Sequence, residues 1–235
     1  MATYFCSDLH GEYELFLRLL AECGVGDEDV VYVLGDVLDK GRAAFRLLDY
    51  VMRRKNFVLV CGNHEETLRR LYEDKMTEYT GDNDREILDG IRAFYTDGRE
   101  LTWEMIDYVD ALPYYIEKED FICVHAGVQL NADETIVPMK SQSPEYFVYD
   151  RKFKRENIVP KSEKCVLFGH TPCSYDNGTG RFIKTLRPGA KGDGIKDYAK
   201  IRLDTGVVYT RTLGMLRLED MKEIYVTDYA TRKDA

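Results

Sequence analysis

The sequence predicts an α/β fold in which two packed mixed β-sheets are flanked by helices. Three observations predict it. Short apolar runs alternate with amphipathic helical stretches up to residue 61, a β-α-β-α-β pattern that implies a parallel sheet. A polar, helical stretch follows over 65–112. The last third returns to short strand-like runs, enough for a second sheet.

In chain order, residues 3–7 read as a buried strand. Residues 12–23 have helical spacing, with Leu15 and Leu19, and Phe16 and Leu20, four apart, and Gly24 and Gly26 end the helix. Residues 30–34 (Val-Val-Tyr-Val-Leu) form the next strand. Residues 42–54 are helical, with Phe45, Leu48 and Met52 on one face and a basic end, Arg53-Arg54-Lys55, that suits a helix C-terminus. A third strand covers 57–61. Helices are expected over 66–75, 85–95 and 102–112, broken at Thr80-Gly81-Asp82-Asn83 and Asp97-Gly98, to cover the sheet or lid a site. Strands are expected over 114–116, 121–124, 165–168, 182–186, 199–203, 207–211, 215–218 and 223–226. With no internal repeat, low-complexity tract or linker, residues 1–235 are read as one domain.

The formal net charge of −9 argues against nonspecific binding to nucleic acid or anionic membranes, which needs basic patches. No apolar run approaches the roughly 18 residues of a membrane span, and no targeting segment is evident, so a cytoplasmic location is expected. The six cysteines include no C-x-x-C pair. Cys6, Cys61, Cys123 and Cys165 lie in strand-like runs and read as reduced core residues, while Cys173, three residues after His170, could lie near a site.

All four histidines sit in short polar motifs that follow apolar runs: Ser7-Asp8-Leu9-His10-Gly11, Gly62-Asn63-His64-Glu65, Val124-His125-Ala126-Gly127 and Gly169-His170-Thr171-Pro172. Gly35-Asp36-Val37-Leu38-Asp39-Lys40-Gly41 lies between the first two. Ligands of parallel sheets bind beyond the strand C-termini. Asp8, His10, Asp36, Asn63, His125 and His170 are therefore expected on one rim. Carboxylate, imidazole and amide oxygen without thiolate suit Mn²⁺, Fe²⁺ or Zn²⁺. Asp8 and His10 alternate along the chain, so a bend is needed to aim both at one ion. Asp36 could bridge two cations about 3.5–4 Å apart. Each motif alone is a weak signal, and a lone buried histidine is more often a satisfied core residue. The ordered set, with no histidine left over, is a strong one.

The five motifs, in this order, resemble the phosphoprotein phosphatase type of calcineurin-like metallophosphoesterase, especially its bacterial and phage members, and the resemblance extends to Leu203-Asp204-Thr205-Gly206. It implies a four-layer α/β/β/α sandwich and two divalent cations, Mn²⁺ foremost with Fe or Zn as alternatives. It implies that Asp8, His10 and Asp36 hold the first cation, and that Asp36, Asn63, His125 and His170 hold the second. It leaves His64 as the proton donor to the leaving group, oriented by Asp39, with Lys40, Arg151 and Asn63 contacting substrate. The implied reaction is in-line attack by a metal-bridging hydroxide without a phosphoenzyme. Lys40, Cys61 and Tyr149 stand where members usually carry arginine, arginine and tryptophan, and lysine lacks arginine's two-pronged donor.

The expected function is therefore a phosphomonoesterase, first a serine/threonine protein phosphatase acting on a phosphorylated protein or a small phosphoester. A diadenosine tetraphosphatase-like nucleotide phosphoanhydride hydrolase is the alternative, and a catalytically weak regulatory homologue the third reading. Asn177-Gly178-Thr179-Gly180 reads as a turn, and 187–196, with Arg187, Lys191 and Lys196 beside Asp193, as a surface loop sooner than a substrate-gripping one. The tyrosines of 114–115 and 146–149 could line a groove, but packing is the plainer expectation.

Overall fold

The computed structural model describes residues 1–78 and 84–228. The expected break at 80–83 lies outside them. The first half runs β1 (Thr3–Cys6), α1 (Tyr13–Cys23), β2 (Val30–Val33), α2 (Ala44–Met52), β3 (Phe57–Leu59), α3 (Asn63–Glu78), α4 (Asp84–Arg92) and α5 (Trp103–Asp110). It continues with β4 (Tyr115–Glu117), β5 (Phe121–Val124), α6 (Pro144–Tyr149), β6 (Cys165–Phe168), α7 (Ser174–Asn177) and β7 (Ile183–Leu186). The chain then closes with β8 (Tyr198–Arg202), α8 (Val207–Thr210), β9 (Thr212–Arg217) and β10 (Glu223–Thr227).

The strands form two five-stranded mixed sheets, ordered β10-β9-β1-β2-β3 and β4-β5-β6-β8-β7. β1, β2 and β3 pair in parallel, as do β5, β6 and β8, while β9 and β10, β4 and β7 are antiparallel additions at the edges. The alternation of side chains along β1 builds the layers. Phe5 points into a core shared with Tyr32, Phe121, Cys165, Leu167 and Ile201, so the two sheets lie face to face. Tyr4 and Cys6 point the other way, into a core with Phe16, Leu19, Phe45, Leu48, Leu68, Ile91 and Ile106 from the first five helices. The outer face of the second sheet packs Val124 and Val166 on Phe147 of α6 and on Phe153. Burial on both faces explains why the central strands read as unbroken apolar runs rather than alternating ones.

Element boundaries moved by a few residues at most, with one exception. Residues 207–211 are not a strand. They form α8, entered through Gly206 at φ 71° and left through Arg211 at φ 54°, and a strand cannot pass two left-handed residues. The β-rich composition of Val207-Val208-Tyr209-Thr210 misled because tertiary contacts decide: Arg211 pairs with Glu12 at 2.5 Å and with Asp228 at 3.2 Å. α3 begins at Asn63, three residues before the expected start, so Asn63 and His64 occupy the first turn of a helix. A further element, α6, lies in a stretch read only for its tyrosines: Tyr114 and Tyr115 pack on Phe147 as expected, whereas Tyr149 is exposed.

All six cysteines are free and buried. Cys173 belongs to the core as well, its thiol reaching the carbonyl of Arg202 at 3.4 Å instead of the site. The Asn177 side chain accepts from the amides of Thr179 and Gly180 at 3.0 Å each, which makes this segment the expected turn. The 187–196 loop lies at the wrong end of the sheet to grip a substrate. Arg187 binds the Ser162 carbonyl and Lys196 pairs with Asp120 at 2.8 Å, both just before β6 and β5 begin, whereas the motif residues follow the ends of those strands.

Candidate active site

Every motif residue emerges at the C-terminal end of a parallel strand: Asp8 and His10 after β1, Asp36 and Asp39 after β2, Asn63 and His64 after β3, His125 after β5 and His170 after β6. The bend needed between Asp8 and His10 comes from the residues themselves, at φ 54° and 42°. Asp36 (54°), Asp39 (63°), Lys40 (67°) and His170 (66°) are also left-handed. Non-glycine residues in this region cost on the order of 1 kcal/mol or more each, and such a concentration is typical of functional sites.

The donors converge in two groups that meet at Asp36. His10, Asp36 and His64 bring one ligand atom each within 4.8 Å of one another, as do Asp36, His125 and His170. Asp36 Oδ2 lies 3.7 Å from both His10 Nε2 and His64 Nε2, and its Oδ1 lies 3.4 Å from His125 Nε2. Asn63 Oδ1 joins the second group, 3.0 Å from His125 Nε2 and 2.8 Å from His170 Nδ1.

Hydrogen bonds set which nitrogen faces the site. His10 Nδ1 donates to the Leu38 carbonyl at 3.1 Å and His125 Nδ1 to the Leu34 carbonyl at 2.8 Å. Each imidazole thus presents its Nε2 lone pair inward, the arrangement of metal-ligating histidines. Burial holds these rings neutral. It depresses His10 to about 4, lowers His125, and, with His125 and Arg151 nearby, depresses His170 to about 3. Neutral imidazole is the form that binds metal.

The donor set fits cations. The His125 lone pair, the Asn63 carbonyl oxygen and the Asp36 carboxylate are all acceptors, and nothing among them donates. Two donors each about 2.1 Å from one cation, at right angles, stand about 3 Å apart, close to the spacings found. Asp8 Oδ1 and His170 Nε2 are buried with no hydrogen-bond partner among the described residues. Asp8, Asp36 and Asp204 are each at most 3 % exposed. Burial and the neighbouring Asp204 and Asp36 charges push the Asp8 carboxyl well above its ordinary range. Bound divalent charge relieves such crowding of carboxylates.

The expected residues do not fall in one shell. Asp8 stands behind the first group: its Oδ2 accepts from Ser7 Oγ and from the His170 amide at 3.0 Å, and only Oδ1 remains for a ligand. His64 is within reach of that group, while its Nδ1 is held by Asp39 Oδ2 at 2.6 Å. Burial works against the His64 cation, but the Asp39 hydrogen bond and the Asp36 and Asp39 charges outweigh it and raise its pKa. Lys40 places Nζ 3.0 Å from His10 Nε2, the lone pair a cation would use. Arg151 lies at the exposed rim, beside a cavity of about 170 Å³ that it lines with His10, Lys40, His170 and Asp204.

Two residues carry parts the motifs did not reveal. Glu65, fully buried, accepts from four backbone amides: Asp36 at 2.7 Å, Val37 at 2.9 Å, Leu38 at 3.1 Å and Gly62 at 2.9 Å. It clamps the Asp36 loop to the start of α3. Burial and the Asp36 charge pull its carboxyl up to about 7, against the amides that favour the ionised form. Gly62 is needed at this junction because a Cβ there would lie 2.3 Å from Asp36 Oδ1. The second is Asp204, just after β8, whose Oδ1 accepts from the Gly206 amide at 2.7 Å. Burial foremost, with Asp36, raises it to about 7. Its position after an apolar run is the same signal that marks the other motif residues.

Comparison with known proteins agrees with this geometry. The calcineurin-like phosphoesterase family profile matches residues 1–193. A symmetrical bis(5'-nucleosyl)-tetraphosphatase of Neisseria meningitidis is 28 % identical over 180 residues, 76 % of this chain and 59 % of that protein. The same enzyme of Buchnera aphidicola is 37 % identical over 70 residues, 29 % of this chain and 26 % of that protein. The chain thus spans about three fifths of the Neisseria relative. Among solved structures, a protein provisionally assigned as a diadenosine tetraphosphatase superposes with a TM-score of 0.70 at 16 % identity, covering 97 % of this chain and 94 % of that one. A protein serine/threonine phosphatase of Saccharomyces cerevisiae superposes at 0.54 with 16 % identity, covering 96 % and 79 %. At such identities the superpositions speak for the fold alone. No helix among the described residues is long and apolar enough to cross a membrane. With a family match over most of its length and the two-sheet fold around a histidine and aspartate cluster, the chain belongs to the calcineurin-like phosphoesterases.

Proposed function

We propose that the protein is a dinuclear-metal phosphohydrolase whose preferred substrate is a nucleoside polyphosphate, cleaved at a phosphoanhydride. The observation that carries the hydrolase reading is Asp36, with one carboxylate oxygen toward His10 and the other toward His125. Asp8, His10 and Asp36 would hold one cation, and Asp36, Asn63, His125 and His170 the other. Such a pair, with Mn²⁺ the first candidate, supplies acidified water near neutral pH and neutralises phosphoryl charge. His64, kept protonated by Asp39, would give its proton to the leaving oxygen. Arg151 and Lys40 would hold phosphoryl oxygens.

The order of substrates reverses the expectation from sequence. Glu65 of Gly62-Asn63-His64-Glu65 is buried and bonded to backbone amides, so it has no means of selecting a protein substrate. The similarity to symmetrical tetraphosphatases then supports the anhydride. Phosphoserine or phosphothreonine in proteins remains the second reading, favoured by the open rim where Tyr149 and Tyr175 are exposed.

The test is phosphate or nucleotide release by metal-free protein supplied with Mn²⁺, from diadenosine tetraphosphate, a phosphopeptide and p-nitrophenyl phosphate. Diadenosine tetraphosphate is expected to show the highest kcat/KM. A higher value for the phosphopeptide installs the second reading. No turnover of any substrate by protein with two bound equivalents of metal overturns both and leaves the regulatory homologue.

A further inference from the structure

A second cavity opens beside the 170 Å³ cavity at the metal cluster and shares Lys40 and Tyr209 with that cavity. It measures about 690 Å³ and is lined by residues of the β1–α1 turn, of the segment leading into α2, and by Arg42, Arg46 and Arg211. In a chain of net charge −9 this groove gathers four cations, Lys40 included, against Glu12 and Glu14. Arg211 is engaged by Glu12 and Asp228, and Arg46 by Glu14 at 3.3 Å while it covers the Tyr13 ring. Arg42 is exposed and makes no hydrogen bond or ion pair among the described residues. Its guanidinium is the cation left over for an anion that enters the groove.

Tyr209 stands where the two cavities meet. Its side chain is 69 % exposed, stacked at a tilt on Tyr175, itself 58 % exposed, with ring centroids 5.9 Å apart. An aromatic pair left in water at the mouth of a charged site has a flat face to offer. The placement is built into the backbone. α8 is held between left-handed Gly206 and Arg211, and a Cβ on Gly206 would lie 2.8 Å from Ser174 Oγ and 2.9 Å from Pro172 Cβ.

We propose that this groove is the specificity subsite of the hydrolase described above, taking the part of a nucleoside polyphosphate beyond the scissile bond. Arg42 binds the phosphate that continues past Lys40, and Tyr209 stacks on the nucleobase. The cavity has the volume of small-ligand sites, whereas a lone seryl phosphate would leave it and Arg42 unused. The proposal rests on the phosphohydrolase reading, and the two can fail separately.

The experiment has two arms. In the first, kcat/KM for diadenosine tetraphosphate and for p-nitrophenyl phosphate is measured in the Mn²⁺-loaded wild type, Arg42→Ser, Tyr209→Ala and Tyr209→Phe. The ratio of the two values is expected to fall about tenfold in Arg42→Ser and Tyr209→Ala, the scale of one lost charge-assisted or stacking contact, and to hold in Tyr209→Phe. In the second, ADP binding is measured by calorimetry on the same proteins, independent of turnover, with affinity expected to weaken at least about fivefold in the same two variants. Unchanged ADP affinity in both variants, or a wild type that hydrolyses p-nitrophenyl phosphate but not the dinucleotide, overturns the groove assignment and leaves the hydrolase standing. Turnover of neither substrate overturns the hydrolase, and the calorimetric arm still decides the groove.

Discussion

His64 Nδ1 lies 2.6 Å from Asp39 Oδ2, with the opposite ring nitrogen, Nε2, 3.7 Å from the carboxylate of Asp36. One nitrogen is thus tied to an acid that is a quarter exposed, and the other is turned toward the cluster. This pairing would orient His64 for the proton donation proposed above, and it sets the first prediction. The Asp39 hydrogen bond and the Asp36 and Asp39 charges raise the His64 pKa against burial, so activity should fall as pH rises through it. Asp39→Asn removes the charge that raises the pKa. The alkaline limb of the pH–rate profile should therefore move to lower pH, by about one unit or more, with kcat down about tenfold or further. A limb that does not move would show that His64 is not the group titrating.

His64 also lies within ligand distance of His10 and Asp36, so its two possible roles can be separated by metal content. His64→Ala should retain two equivalents of Mn²⁺ by elemental analysis while losing about 10²–10⁴-fold in turnover, most on substrates with poor leaving groups. His10→Ala, His125→Ala and His170→Ala should each lose metal. Loss of a metal equivalent in His64→Ala would make His64 a ligand.

Glu65 should matter more to folding than its place in a catalytic motif suggests. Glu65→Leu leaves four buried amides without an acceptor, and at about 1–3 kcal/mol each the loss should exceed about 4 kcal/mol. Chemical denaturation checks it. Glu65→Gln keeps one acceptor oxygen and should fall between, with weaker Mn²⁺ binding because the Asp36 loop is less firmly held.

Lys200 offers a pH test remote from the metal ligands. Its ammonium is buried against the carbonyls of Phe153 and Arg155, at 2.6 and 2.7 Å, and desolvation, with Arg202 nearby, depresses its pKa from 10.5 to about 8. Between these two values the unfolded chain holds the proton and the folded chain releases it, so this residue's contribution to stability rises with pH. Below pH 8 the penalty is fully present, on the order of 3 kcal/mol. Tyrosines and cysteines titrate in the same range, so the measurable quantity is a difference. Lys200→Met should lose its stability advantage over wild type, or deepen its deficit, as pH goes from 8 to 10. A pH-independent difference would show that the carbonyls hold Lys200 charged throughout.

The sequence by itself determined the strand-and-motif order. Apolar runs such as 121–124 and 165–168 match β5 and β6 residue for residue, because strands covered on both faces must be continuously apolar. It also determined that Asp8, His10, Asp36, Asn63, His125 and His170 would meet, since each follows such a run and parallel strands end on one rim. Only the tertiary structure decided how they meet. The inward nitrogens of His10 and His125 are chosen by carbonyls 28 and 91 residues away, and the His170 amide reaches Asp8 across 162. No local period encodes such partners. The same holds for Glu65, which in sequence is only the last residue of a histidine motif and folds into a backbone clamp. It holds for Tyr209, whose strand-like neighbours are bent into a helix by Gly206, Arg211 and Glu12. Burial and alternation are written residue by residue along a chain, whereas hydrogen-bond partners and left-handed turns depend on which distant segments pack together.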